Sequence, residues 1–156
     1  MLQANVQDRI VAPASEVRDA IVYPDRMSGY FISHGDEPMR SGTSVHREFA
    51  DGGALDVDVI EVDDDRIRFQ WQASGVRTLV DLEVLPDDAT STVVKVTESA
   101  WPNDDDGVAR ALEQTAGWTD FLCSLKAYVL HSINLREGPH GRHPLTARLF
   151  AAKGRR

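Results

Sequence analysis

Hydrophobic and polar residues alternate through the middle of the chain, the pattern expected of β-strands with one buried and one exposed face. The alternation is clearest where Ile67, Phe69 and Trp71 share one face and arginine and glutamine residues share the other. Five such segments follow one another, separated by short turns, over residues 43–50, 54–62, 66–73, 76–85 and 91–99. The pattern predicts an antiparallel meander with one polar and one apolar face.

The residues before this meander predict one strand followed by two short helices. Residues 4–11 predict a first strand, and Pro13 then stands where a helix can begin, because a proline in the first turn loses no required N–H bond. Apolar residues recur at helical spacing over residues 13–21. Residues 25–31 predict a second short helix that ends in an aromatic pair.

A long amphipathic helix is predicted after the meander. Asn103 can cap its first turn, and the helix is expected to end near Arg136, before Gly138. Its apolar positions are spaced by three or four residues, wide enough to face a sheet. They are Ala111, Leu112, Thr115, Trp118, Leu122, Leu125, Val129 and Ile133. The predicted class is therefore α+β, with a sheet of about six strands wrapped around this helix and two short helices after strand one.

Length and composition predict one folded domain over residues 1–137 and a basic tail over residues 138–156, flexible or a short helix. The chain has 156 residues, which is an ordinary domain size, and it has one cysteine, so no intrachain disulfide can form. It contains no apolar run near the roughly 20 residues that a membrane helix needs, and its start lacks a signal-peptide pattern. We therefore expect a cytoplasmic protein without membrane insertion.

The charge is uneven along the chain. The net charge is −8, yet the tail after residue 137 contains five cations and no acid, so the predicted domain carries −13. An acidic body argues against nucleic-acid binding, because phosphate backbones attract cationic surfaces.

The order of elements and several local motifs resemble the START-like superfamily, also called the SRPBCC group. Within it, the chain resembles the branch related to the C-terminal domain of the Hsp90 ATPase activator (AHSA1-like), a bacterial homologue being the expected source. The motifs are residues 11–17, residues 24–25 with 29–31, residues 57–63 with 67–71, and Gly117-Trp118 with Leu122 and Leu125. The resemblance covers about residues 4–136 and implies the helix-grip fold, in which a curved antiparallel sheet holds a C-terminal helix.

Two positions depart from the family pattern. Arg18 stands where the first helix often has a tryptophan, and Tyr30-Phe31 stands where the second helix commonly ends in a tryptophan-aromatic pair. Both lie near the pocket mouth in the family, so its ligand preferences are not transferred to this chain. The chain also has no room for the separate N-terminal domain of the co-chaperone, which weakens the case for a chaperone partner.

A curved sheet and a straight helix leave a gap that inward-facing residues line, and such apolar hollows bind small molecules. The alternative is that the same residues fill a solid core. The candidate lining residues are Phe31, Phe49, Val57, Val59, Phe69, Trp71, Val80, Trp118, Phe121 and Leu122.

Three polar residues are candidates for the same pocket: Arg47, Glu98 and Tyr128. Arg47 and Glu98 share strand parity with apolar neighbours, and either would be costly to bury alone. The sequence leaves open an Arg47–Glu98 pair, a ligand group that pairs with one of them, or plain exposure at the strand ends, which is favoured.

No catalytic, cofactor or metal site is predicted. His46 and Glu48 share a strand face, but two residues are weak support for a metal site. Cys123 is interpreted as a small buried residue of the long helix.

Three functions remain open from the sequence. The first is a module that binds a hydrophobic small molecule, lipid-like or aromatic, without turnover. The second is an enzyme of the polyketide cyclase or aromatase kind, which would need polar groups to converge in the pocket. The third is a chaperone-interacting protein, which would need an exposed apolar patch on the sheet or around Tyr30-Phe31. The ligand and the presence of a homodimer are also left open.

Overall fold

A computed structural model describes residues 1–137, so the predicted basic tail lies outside the described residues. These residues form a seven-stranded antiparallel sheet and three helices. In chain order the elements are β1 (Gln3–Ile10), α1 (Ala14–Val22), α2 (Pro24–Met27), β2 (His34–Gly35), β3 (Ser44–Glu48), β4 (Ala54–Val62), β5 (Arg66–Trp71), β6 (Thr78–Asp88), β7 (Ser91–Ser99) and α3 (Asp105–His131). The predicted α+β helix-grip class is confirmed.

The sheet has the strand order β1-β7-β6-β5-β4-β3-β2, so the first strand of the chain pairs with the last. Buried and partly exposed residues alternate along β5 and β6, which confirms the two-faced meander. The register of β4 against β5 shifts between Val59 and Glu61, and Ile60 is left exposed at this irregularity. An extra residue of this kind bends a strand and increases its twist, which helps the sheet curve around the helix.

Before α3, two predicted boundaries are wrong and one short strand was not predicted. The second helix is a single turn that ends at Met27, and hydrogen-bonded turns carry the chain on to Phe31. Residues 86–88, predicted as a turn, belong to β6, where the register shifts beside Pro86. The two-residue strand β2 was not predicted, because two residues carry no periodicity. It raises the strand number from about six to seven.

Helix α3 is capped one residue later and ends about five residues earlier than predicted. Its cap is Asp104 rather than Asn103, and the Asp104 carboxylate accepts a 2.7 Å bond from the Gly107 backbone N–H. The helix ends at His131, before Ser132, which has the left-handed φ of 54° that terminates many helices.

The apolar face of α3 is narrower than predicted. Trp118 and Leu125 are buried against the sheet, but Leu112 is 66% exposed and Cys123 is also exposed. At roughly 100° per residue, Leu112 and Cys123 lie about 120° and about 140° around the helix axis from Trp118. Both therefore point away from the sheet, and the interpretation of Cys123 as a buried residue is wrong.

Packing of α3 onto the inner face of the sheet produces one main hydrophobic core. An ion pair of 2.6 Å between Lys126 and Asp8 ties the outside of the helix to β1. None of the helices within residues 1–137 combines the length and the apolar character needed to cross a bilayer.

Candidate functional site

A small cavity lies in the core between the sheet, the short helices and α3. Its volume is about 20 Å³, close to the space of one water molecule. Of the described residues that line it, all but one are apolar or aromatic, and the exception is Arg47. The lining residues are Ile21, Met27, Phe31, Ile32, Met39, Arg47, Phe49, Leu55, Val57, Phe69, Trp71, Leu82, Trp118 and Phe121.

Seven of the ten candidate lining residues border this cavity. They are Phe31, Phe49, Val57, Phe69, Trp71, Trp118 and Phe121. Val59, Val80 and Leu122 are buried in the same core but do not border the cavity. Among the residues that sequence reasoning missed, Leu55 and Leu82 share strand parity with chosen neighbours and could have been found. Met39 stands outside any periodic segment and gave no signal.

Aromatic rings form a continuous wall from the inside of the cavity to its outer end. The rings of Trp71 and Trp118 stack at 5.3 Å, and Trp118 meets Phe121 edge-on at 5.2 Å. Phe31 then contacts Phe121 at 4.9 Å and Phe49 at 5.5 Å, both edge-on. Edge-to-face and offset-stacked pairs are favourable ring geometries, so this wall is well packed as it stands.

A second pocket of about 50 Å³ lies at the outer end of this wall. It shares Phe31, Ile32 and Phe49 with the inner cavity, and these three residues therefore separate the two spaces. The Arg136 guanidinium lies 4.9 Å from the Phe31 ring centre and pairs with the buried Asp120 carboxylate at 2.9 Å. This cation holds the outer face of Phe31.

Arg47 is buried, with 2% of its surface exposed, although the sequence favoured exposure. Its Nη1 donates to the His46 carbonyl oxygen at 2.9 Å, and its Nη2 donates to the Glu37 carbonyl oxygen at 2.8 Å. The nearest paired carboxylate is that of Asp36, whose Oδ1 lies 3.4 Å from Nη1. Burial lowers the pKa of Arg47, and the Asp36 charge opposes this shift.

Asp36 is held in place for this contact by the backbone. The pKa of its carboxyl group is lowered, first by the bond it accepts from the His46 backbone N–H at 2.9 Å, with Arg47 adding to the effect. The carboxylate is half exposed at the sheet edge formed by β2, so Arg47 receives its counter-charge from the solvent side.

Glu98 is completely buried in β7 and is surrounded by hydrogen-bond donors. Its Oε1 accepts from the Trp118 indole N–H at 2.8 Å and the Gln114 amide at 3.0 Å. Its Oε2 accepts from the Trp71 indole N–H at 3.0 Å and the Thr78 hydroxyl at 2.5 Å. Two of the three alternatives left open by the sequence, an Arg47–Glu98 pair and exposure of Glu98, are therefore wrong, because four neutral donors of the protein satisfy this carboxylate.

Tyr128 lies at the outer end of α3 and does not border the cavity. Its hydroxyl oxygen accepts a 2.9 Å bond from the Arg26 Nε, and its ring lies 5.4 Å from that of Tyr30. Tyr30 itself is buried, and its hydroxyl donates to the Ala20 carbonyl oxygen at 3.0 Å. Burial raises the pKa of Tyr30. The three polar candidates thus occupy three separate places, and only Arg47 reaches the cavity.

His46, the histidine considered for a metal site, pairs with a single carboxylate. The His46 Nδ1 lies 2.9 Å from the Asp56 carboxylate on the outer face of the sheet. Within residues 1–137, no group of three or more histidine, cysteine, aspartate or glutamate side chains is arranged to hold a metal ion.

Comparison with known proteins finds relatives by structure. No protein-family model and no curated protein matches the chain. Protein SSP2350 from Staphylococcus saprophyticus matches with a TM-score of 0.76 and 24% identity, over 88% of this chain and 98% of its own. The Aha1 dimer from Colwellia psychrerythraea matches with a TM-score of 0.72 and 20% identity, over 85% and 98%. Likeness at these identities shows a shared fold.

A third solved structure has a higher sequence identity to this chain but belongs to a longer protein. DynU16, described as a putative protein in the dynemicin biosynthetic locus, matches with a TM-score of 0.73 and 29% identity. The match covers 84% of this chain and 48% of DynU16, so the chain spans about half the length of that protein.

Proposed function

From the START-like, or SRPBCC, fold that the chain has, we propose that it binds a hydrophobic small molecule between the sheet and α3. One observation supports this most strongly. An almost wholly apolar cavity shares Phe31, Ile32 and Phe49 with an outer pocket that exposed residues also line. Concave apolar sites with few polar groups are the usual form of small-molecule sites.

Binding requires the wall of the cavity to move. Typical ligand sites enclose roughly 300–1,000 Å³, far more than the cavity of about 20 Å³. Met27 and Met39 both line it, and methionine side chains adapt their shape readily because they are unbranched and polarizable. Phe31 and Phe49 lie between the cavity and the outer pocket, so rotation of these rings provides the entrance.

An enzyme of the polyketide cyclase or aromatase kind is the second candidate. It is favoured by the presence of the DynU16 neighbour in a biosynthetic locus. Acid–base chemistry, however, needs groups that converge on one substrate. Glu98 has both oxygens occupied and Tyr128 lies outside the cavity, which leaves Arg47, a poor proton carrier because arginine holds its proton strongly. Binding without turnover is therefore preferred.

A chaperone-interacting role has less support. It requires an exposed apolar patch on the sheet or around Tyr30-Phe31. Tyr30 and Phe31 are both buried, and on the described sheet the exposed large apolar side chain is that of Ile60. The likeness to Aha1, at 20% identity, supports a shared fold and does not extend to its partners. A homodimer, the form named for that neighbour, stays a proposal for this chain.

Filling the cavity should weaken binding strongly. Val57 borders the cavity, whereas Val59, two residues along the same face of β4, is buried but does not border it. We expect Val57→Phe to weaken binding of the neutral fluorescent probe N-phenyl-1-naphthylamine at least about tenfold. The larger ring occupies the space that the probe would enter.

Val59→Phe is the matched control, because overpacking costs either variant about 1–3 kcal/mol of stability. Fluorescence titration of folded samples measures both affinities. Equal binding by the two variants, or no binding by the unmodified chain, would contradict the proposed function.

A further inference from the structure

Arg47 has a donor group that the protein leaves unused. Its Nε is buried, and no atom of residues 1–137 accepts a hydrogen bond from it. A buried donor without an acceptor is unfavourable, and such groups in native proteins usually have a reason. Arg47 is the one charged side chain on the described wall of the cavity, so the unused donor belongs to a residue of the proposed binding site, and the wall movement that binding requires would have to uncover it.

One edge of the guanidinium is closed by its neighbours. Gly35 packs against the edge that carries Nη1 and Cδ, since a Cβ added there would lie 2.9 Å from Nη1 and 3.1 Å from Cδ. In a planar guanidinium the Nε–H points along the opposite edge, beside Nη2. The Nη2 group has two N–H bonds and gives one to the Glu37 carbonyl oxygen. This edge carries Nε and Nη2, the pair of donors through which an arginine can bind both oxygens of a carboxylate.

The charge balance around Arg47 also favours an anion. Within residues 1–137 its carboxylate partner is Asp36, which lies at a long 3.4 Å, contacts Nη1 rather than the Nε edge, and is half exposed. A buried cation with a distant, solvated counter-ion gains more from a second anion than a fully paired one would.

We propose that the ligand of the pocket is an apolar molecule that carries a carboxylate, and that the Nε–Nη2 edge of Arg47 binds this group. This rests on the proposed function and specifies its ligand class. The apolar part of the ligand lies against the aromatic wall formed by Trp71, Trp118 and Phe121, and the carboxylate lies at the strand end where Arg47 is held.

Decanoate and decan-1-ol are the probes, because they share an apolar chain and differ in the charged group. We expect the unmodified protein to bind decanoate about ten- to a hundredfold more tightly, the range that a charge-assisted hydrogen bond supplies. Displacement of N-phenyl-1-naphthylamine at pH 7.5 measures both affinities. Arg47→Met should bind the acid and the alcohol equally, and Arg77→Met, an exposed arginine on the outer face, should keep the preference.

The outcomes separate this inference from the proposed function. If the unmodified protein binds decan-1-ol as tightly as decanoate, the carboxylate assignment is overturned and the hydrophobic site stands. If neither probe binds, both are overturned. Should Arg47→Met fail to fold, the ratio of affinities in the unmodified protein still decides.

Discussion

Replacing Glu98 with alanine should lower the free energy of unfolding by about 4 kcal/mol. The change leaves four buried donors without their acceptor, in Trp71, Thr78, Gln114 and Trp118. Each orphaned donor costs about 1–3 kcal/mol, and the total falls below the sum because water entering the new space satisfies part of the set. Urea unfolding followed by tryptophan fluorescence measures the loss.

Two further variants show whether the loss comes from the hydrogen bonds. Glu98→Gln keeps one accepting oxygen and places an amide against two of the donors, so its loss should be intermediate. Glu83→Ala removes a partly exposed carboxylate on the outer face that pairs with Arg66, and it should cost less than about 1 kcal/mol. If Glu98→Ala were no more harmful than Glu83→Ala, the donors around Glu98 would not be stabilising the fold.

Trp118→Ala should cost about 4 kcal/mol, in the range measured for large aromatic residues in cores. Trp118 is fully enclosed, stacks on Trp71, contacts Phe121 edge-on and donates to Glu98. Its removal takes away one of the contacts between α3 and the sheet and enlarges the neighbouring cavity. Thermal and urea unfolding should both show the loss, with circular dichroism confirming that the sheet is retained.

The control for this prediction lies on the same helix. Leu112 is 66% exposed, so Leu112→Ala should change the free energy of unfolding by less than about 0.5 kcal/mol. Trp118→Phe keeps most of the ring and loses the N–H, and it should fall between the two. A loss in Trp118→Ala as small as that in Leu112→Ala would mean that α3 does not depend on this contact.

The fold was predictable because each long element has a strong local pattern. The alternation of Ile67, Phe69 and Trp71 with polar residues can be seen in this short segment alone. Strand β5 forms at this segment, with these three residues buried. Leu112 shows the limit of such patterns. It fits a helical spacing of three or four, yet the rotation of α3 against the sheet, which tertiary packing sets, leaves it in solvent.

The polar part of the site was only half predictable. Strand parity indicated the inner face for Arg47 and Glu98, and both are buried there. Exposure was nevertheless favoured, because a buried charge is costly without partners. Those partners come from elsewhere in the chain: the loop carbonyl of Glu37 for Arg47, and Trp71 and Gln114 for Glu98. No local pattern contains contacts that folding brings together from distant segments.

The proposed function requires the apolar cavity between the sheet and α3 to open and admit an apolar molecule. The chain has three methionines, of which Met27 and Met39 line the cavity and Met1 is fully exposed. Titration of [methyl-13C]methionine-labelled protein with decan-1-ol, observed by NMR, therefore reports on the cavity with an internal control. We predict saturable shifts of the Met27 and Met39 methyl signals and none of Met1, whereas unchanged Met27 and Met39 signals up to the solubility of the alcohol would contradict binding in this cavity.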